Sequence, residues 1–196
     1  MVDDKIFVIG GYSVVKRNTC EVFSVRDGKW LPEESVPAMP TARYCVGTAV
    51  IGRKIFVIGG TVGTAIKTVE VLDTTDNSWK ELPSMPTARY GFGTAVIDNR
   101  FIWCFAGFPH SEFGFPTDVV EVFDARDEIW ISPRTRVPSA RGSVRAVVVG
   151  DEIWLIGGIT FGASKITVEK FNPKKLTWER GWPCKSPHGW HSVICF

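Results

Sequence analysis

One short stretch decides the fold: Ile55-Phe-Val-Ile-Gly-Gly60, an apolar run that ends in two glycines. Related runs close at Gly11, Gly107 and Gly158, so that the closing glycines are spaced by 49, 47 and 51 residues along the chain. Self-similarity at a nearly fixed period indicates a repeat architecture. The 196 residues therefore divide into four related units.

Each unit continues with a glutamate in a strand-like segment and a tryptophan nine residues later. These pairs are Glu21 and Trp30, Glu70 and Trp79, Glu121 and Trp130, and Glu169 and Trp178. Short segments rich in Val, Ile, Phe and Trp alternate with Gly, Pro, Asn and Asp, and no stretch has helical periodicity. The pattern predicts an all-β chain with one four-stranded antiparallel sheet per unit.

These marks resemble the kelch repeat, in which a Gly-Gly doublet closes the second strand and a tryptophan follows about twenty residues later. The resemblance covers essentially the whole chain, with two departures: the third doublet is Ala106-Gly107, and Leu72 stands where the other units have phenylalanine. It implies a kelch-type β-propeller in which each unit forms one blade.

The predicted domain is a single propeller over residues 1–196, with four blades of four strands. The C-terminal strand is expected to pair with the N-terminal blade and close the ring, which removes an exposed sheet edge. A piece of a longer propeller, or an open half that associates with another copy, are the alternatives. The repeats run roughly over 2–43, 44–89, 90–141 and 142–188, and 189–196 completes the first blade.

Composition limits the function classes. The 23 Lys and Arg against 21 Asp and Glu leave a formal charge of +2, which disfavours a general nucleic-acid binder. Apolar stretches are too short for a membrane helix, and Val-Asp-Asp-Lys after Met1 is unlike a secretory signal. We expect a cytoplasmic protein, with a nuclear location as the alternative. Five cysteines without a CxxC motif predict reduced, mostly buried thiols.

A Pro-Thr/Ser-Ala-Arg tetrapeptide recurs in three units and gives the first candidate site. Propeller geometry would place its arginines around one axis, where their planar guanidinium groups could bind carboxylates; the kelch resemblance implies a similar role in capturing acidic peptides. Alternatively, each arginine pairs within its own blade, with the recurring glutamate as a possible partner. The set, with adjacent residues that could contribute, is Arg43, Arg89, Arg141, Arg145, Tyr44 and Tyr90.

The third unit has the longest connection, Phe108 to Pro116, which carries Phe108, His110, Phe113 and Phe115. Its aromatic side chains could anchor a partner, or could fold back over the blade as a local lid. Near the C-terminus, Cys184, His188 and His191 lie close together, but no fourth ligand accompanies them, so no metal or other cofactor is expected.

The sequence lacks the G-x-S-x-G, phosphate-loop and H-E-x-x-H motifs. No catalytic residue is assigned. The predicted function is a non-catalytic protein-interaction module that binds a partner segment, with an acidic one favoured, on one funnel face. That face combines the arginine set with the loops between second and third strands. By resemblance it is similar to substrate adaptors. The alternative is a small kelch-type enzyme that acts on a sugar or similar metabolite in the central pocket.

Overall fold

A computed structural model describes residues 2–110, 114–160, 163–164, 167–183 and 185. The first sheet is three-stranded, with the order β1-β2-β3. A long hairpin forms its first two strands, and Val14 lies at the hairpin tip in a left-handed conformation (φ 60°). A 3₁₀ turn follows at Glu33–Ser35. The strands are β1 (Lys5–Ser13), β2 (Val15–Ser24) and β3 (Lys29–Trp30).

The second and third sheets are four-stranded antiparallel meanders, each built from one repeat. Their strands are short because Gly, Pro, Asn and Asp interrupt each apolar run. The second sheet holds β4 (Gly47–Ile51), β5 (Lys54–Ile58), β6 (Val69–Asp73) and β7 (Ser78–Leu82). The third sheet holds β8 (Gly93–Ile97), β9 (Phe101–Phe105), β10 (Val120–Asp124) and β11 (Ile129–Ile131).

The fourth sheet has the same order and carries an extra two-stranded ribbon, β14 with β15, in its second connection. Its segments in chain order are β12 (Arg145–Val149), β13 (Glu152–Ile156), β14 (Ile159–Thr160), β15 (Ala163–Ser164), β16 (Thr167–Asn172) and β17 (Thr177–Pro183). The predicted all-β class with one sheet per repeat is confirmed. The predicted closing strand, 189–196, lies outside the described residues. The described part of the chain holds no helix that is long and apolar enough to cross a bilayer.

The core consists of apolar clusters between neighbouring sheets. Ile55 and Leu72 of the second sheet pack against Cys20 and Val22 of the first. Equivalent clusters join the second sheet to the third and the third to the fourth. Within the described residues, no such cluster joins the fourth sheet to the first. The inner strands of the second and third sheets thus bury one face against the preceding sheet and the other against the following sheet.

The recurring tryptophan connects neighbouring sheets. The Trp79 indole N–H donates to the Pro37 carbonyl at 2.9 Å, and the Trp130 indole donates to the Pro83 carbonyl at 2.8 Å. The Trp178 indole donates to the Thr135 hydroxyl at 3.0 Å. In each case the acceptor lies in the segment that leaves the preceding sheet. An indole combines a large apolar surface with one donor, which explains why this position recurs as tryptophan.

The glycine doublet allows neighbouring backbone segments to approach closely. Gly59 and Gly60 both have positive φ (55° and 97°). A Cβ on Gly59 would lie 2.6 Å from the carbonyl oxygen of Arg89, which leads into the third sheet. Since a side chain has no room there and the conformation is left-handed, glycine is required for two independent reasons.

Candidate functional site

The three recurring arginines lie inside the sheets. Arg43, Arg89 and Arg141 are 0% exposed. Arg43 Nη2 lies 3.0 Å from a Glu70 carboxylate oxygen. The Arg89 Nη2 donates to Glu121 at 2.6 Å, and Arg141 pairs with Glu169 in the same way. Each arginine thus leads into a sheet and pairs with the recurring glutamate of that sheet. By the repeat limits predicted above, this glutamate belongs to the next repeat, so the glutamate partner of the second alternative is right and its place in the arginine's own repeat is wrong.

The tetrapeptide and the third strand form one polar unit. Arg89 Nη1 also donates to the carbonyl oxygens of Ala106 (3.1 Å) and Val119 (2.8 Å). The Thr87 hydroxyl donates to the other Glu121 oxygen at 2.7 Å. Thr41 makes the same bond to Glu70. The recurring threonine thus shares the role of the arginine, and the sequence analysis did not assign it a role.

Burial lowers the pKa of all three guanidinium groups below the ordinary arginine value. Because the paired carboxylates compensate the positive charge of the guanidinium groups, the arginines remain charged inside the sheets. The expected exposed cationic end made by Arg43, Arg89 and Arg141 is therefore corrected. In the second, third and fourth sheets, these side chains hold the segment before the first strand against the third strand, and they offer no surface to a partner.

The starts of the first strands and the connections that leave the second strands lie together at one end of the sheets, the loop end. Isolated bridges join Tyr44 with Thr61, Tyr90 with Phe108, and Gly142 with Ile159. Of the predicted site residues, Tyr44, Tyr90 and Phe108 therefore lie at this end. It also includes the tip of the β1–β2 hairpin, where Tyr12 lies 5.1 Å from Tyr44, measured between ring centroids.

The side chains of the long third connection differ in exposure, and one of them has the predicted folded-back position. The Phe108 ring folds back, with its centroid 5.3 Å from that of Tyr90, which is itself buried. It also covers Gly142, since a Cβ there would lie 1.8 Å from the ring. Phe115, by contrast, is 68% exposed, and His110 is exposed. Phe113 lies outside the described residues.

The loop end also carries cations. Arg17 and Lys67 are exposed, and neither pairs with a carboxylate in the described part of the chain. Arg145 is partly exposed, and its Nη1 donates to the Val144 carbonyl at 3.3 Å. Arg145 stands where the second and third sheets have Gly47 and Gly93. This departure from the repeat places a guanidinium group on an innermost strand.

The buried thiols are unsuited to chemistry. Burial raises the pKa of Cys104 to about 12 and that of Cys20 to about 11, so both stay protonated near neutral pH. Cys45 is partly exposed. Among the residues described, no three His, Cys, Asp or Glu side chains could hold a metal ion. The cluster of Cys184, His188 and His191 lies outside the described residues.

Comparison with known proteins identifies a family model and relatives that match this chain. The KLHDC2/KLHL20/DRC7 Kelch-repeats domain matches residues 1–194. Kelch domain-containing protein 3 is 25% identical over 92% of the chain in Bos taurus and 24% identical over the same share in Homo sapiens. The chain spans about half the length of these relatives, 52% in both cases.

A solved structure titled "Structure of YjhT" superposes with a TM-score of 0.80 and 19% identity, and the match covers 96% of this chain and 65% of that one. At this identity the likeness concerns the fold alone. From the family match over nearly the whole length, the chain belongs to the kelch-repeat family, with a kelch-type β-propeller fold.

Proposed function

We propose that the chain is a non-catalytic protein-interaction module that binds a segment of a partner protein at its loop end. Kelch propellers commonly serve as protein-interaction modules, and the family membership supports this class. The proposal does not use the three buried arginines.

The observation that carries the proposal is the group of exposed apolar side chains at the loop end. Tyr12 is 62% exposed and Val14 is 90% exposed at the hairpin tip, beside Val15. Phe115 projects from the third connection. Rigid strands support these loops, and exposed apolar side chains on supported loops are typical of sites that bind proteins.

The charge at this end supports an acidic partner segment. Arg17 follows the hairpin tip, and Lys67 precedes β6 in the second connection. Both are exposed cations without a carboxylate partner among the described residues. The carboxylate of Asp118 in the third connection is already paired with Arg136 at 3.2 Å. Partner carboxylates at this end would therefore meet uncompensated positive charge, which chiefly raises the association rate.

The test compares two double variants in affinity capture from cell lysate with mass-spectrometric readout. Tyr12→Ala/Phe115→Ala removes aromatic surface at the loop end. Ile129→Ala/Ile131→Ala removes exposed apolar surface from outermost strand β11 and is the matched control. We expect the first variant to lose proteins that the wild type and the control both retain.

The acidic preference has its own readout. Arg17→Glu/Lys67→Glu is expected to lose the same proteins and to slow association of any purified partner, with a reduced dependence on salt. If all variants retain the wild-type set, the loop end is not the binding surface. If only the charge variant keeps full binding, the apolar part of the proposal stands and the acidic part does not.

A further inference from the structure

The first sheet has an uncovered face where the other sheets have a buried one. On β5, Ile55 and Val57 face the preceding sheet and are 4% and 0% exposed. The corresponding residues of β1 are Ile6 and Val8, and each is 46% exposed. The opposite side of β1 carries Phe7 and Ile9, which pack towards the second sheet. The uncovered side is therefore the one on which a preceding sheet would pack.

The tryptophan of the first sheet agrees with this difference. In the other three sheets, the indole N–H donates to an acceptor in the segment that leaves the preceding sheet. Trp30 is 56% exposed, and no such bond is found for it within the described ranges. Its ring lies on Phe23, with the centroids 5.4 Å apart, and Phe23 pairs with Ile6 across the strands. The uncovered face of the first sheet thus lacks both apolar cover and, within the described ranges, a hydrogen-bond acceptor for the Trp30 indole N–H.

A charged residue lies on this uncovered face as well. Glu21 pairs with Val8 across β1 and β2, so both side chains are on the same side of the sheet. Its counterparts Glu70, Glu121 and Glu169 are buried and paired with arginine. Glu21 is exposed, and it forms no ion pair with any described residue.

The fourth sheet presents the complementary face. Ile153 and Leu155 are buried against the third sheet, whereas the alternate residue Ile156 is only partly buried. Arg145 pairs with Ile156 across β12 and β13, so both lie on this side. The glycine at the equivalent place supports the direction, since a Cβ on Gly47 would lie 2.4 Å from the Phe92 ring of the following sheet.

We propose that the uncovered face of the first sheet, formed by Ile6, Val8 and Glu21, docks against the face of the fourth sheet formed by Ile156 and Arg145 in a second copy of this chain. The contact would continue the packing that already joins the sheets within the chain, and the Glu21 carboxylate would meet the Arg145 guanidinium. The fourth sheet of the same chain is present here, and it leaves Ile6 and Val8 about half exposed. Because no described segment of the same chain covers this face, a second copy is the proposed cover.

A contact of this kind is heterologous, because it joins two different surfaces. Each copy has one face of each type, so association can continue beyond two chains unless the ring closes. Because the two faces in contact differ, mixing chains that are blocked on different faces distinguishes this contact from a symmetric dimer. Blocking one face of every chain prevents self-association, but a chain blocked on one face can still bind a chain blocked on the other.

The experiment measures molar mass by light scattering across about a hundredfold range of concentration, using the full chain. The wild type is expected to gain mass with concentration. Val8→Glu and Ile156→Glu alone are expected to remain monomeric, with association weakened at least about tenfold by a buried unpaired carboxylate. Their equimolar mixture is expected to give a particle of two chains. Val25→Glu, at a turn valine with the same 46% exposure, is the matched control and should associate like the wild type.

Charge reversal provides a second measurement, because Glu21 is exposed and Arg145 is partly exposed. Glu21→Arg and Arg145→Glu are each expected to weaken self-association, and mixing the two is expected to restore it. A wild type that stays monomeric at every concentration overturns the proposal, as does a Val8→Glu chain that associates like the wild type.

Discussion

The buried ion pair between Arg89 and Glu121 gives the sharpest prediction of stability. Arg89→Met keeps most of the side-chain volume and removes the guanidinium group. The Glu121 carboxylate, nearly fully buried, then keeps the Thr87 hydroxyl and loses the cation 2.6 Å away. The carbonyl oxygens of Ala106 and Val119 lose a donor at the same time.

Breaking a buried pair by removing one partner destabilises a protein by about 3–5 kcal/mol, chiefly because a charge is left buried without compensation. We expect a loss of this size, which is a large fraction of the total stability of a domain. Arg136→Met is the control: Arg136 pairs with Asp118 at 3.2 Å with both side chains exposed, so at most about 1 kcal/mol should be lost.

The assay is equilibrium urea unfolding followed by tryptophan fluorescence, with the free energy of unfolding compared among the variants. The double variant Arg89→Met/Glu121→Gln removes the uncompensated charge and keeps an acceptor for Thr87, so it should be more stable than Arg89→Met alone. A loss below about 1 kcal/mol for Arg89→Met, equal to that of Arg136→Met, would refute the structural role of the pair.

Three further predictions concern the core and its ionisable groups. Trp79→Phe should lower the free energy of unfolding by about 0.5–1.5 kcal/mol because the indole hydrogen bond is lost. Trp30→Phe, measured on the monomeric protein, should have a smaller effect because no such bond is found for Trp30 within the described ranges. Hydrogen bonds from Arg100 lower the pKa of Asp124 to about 2. The stabilising contribution of Asp124 is therefore fully present above its unfolded pKa near 4 and is lost as the pH falls towards 2. In acid unfolding, the stability of Asp124→Asn should accordingly depend less on pH across that window than the stability of the wild type. Iodoacetamide should alkylate Cys45 faster than Cys104, as read by peptide mass mapping, and equal rates would contradict the burial of the Cys104 thiol.

The fold could be predicted because short-range features of each repeat indicate where its strands begin and end. The Gly59-Gly60 doublet, the apolar run before it and the tryptophan nineteen residues later belong to a pattern that recurs along the chain. Since the same constraint appears several times, chance agreement is excluded and the sheet boundaries follow. The closing strand at 189–196 remains a prediction.

The site was less predictable because side-chain direction depends on residues far apart in the chain. A tetrapeptide before a strand can turn Arg43 towards the axis or into the sheet, and only the position of Glu70, 27 residues later, decides between them. Likewise, Phe108 folds back because residue 142 is glycine and leaves room for its ring. The recurrence of Arg and Glu together was the signal that favoured pairing within the sheet.

The central claim is that this propeller binds its partner at the loop end while the recurring arginines serve the fold. Hydrogen exchange with mass-spectrometric readout, in the presence and absence of a partner isolated by capture, tests it most directly. The account predicts slower amide exchange on binding in residues 12–18, 61–67 and 114–118. Protection confined to the turns at the other end, at residues 25–28, 74–77 and 125–128, would contradict it.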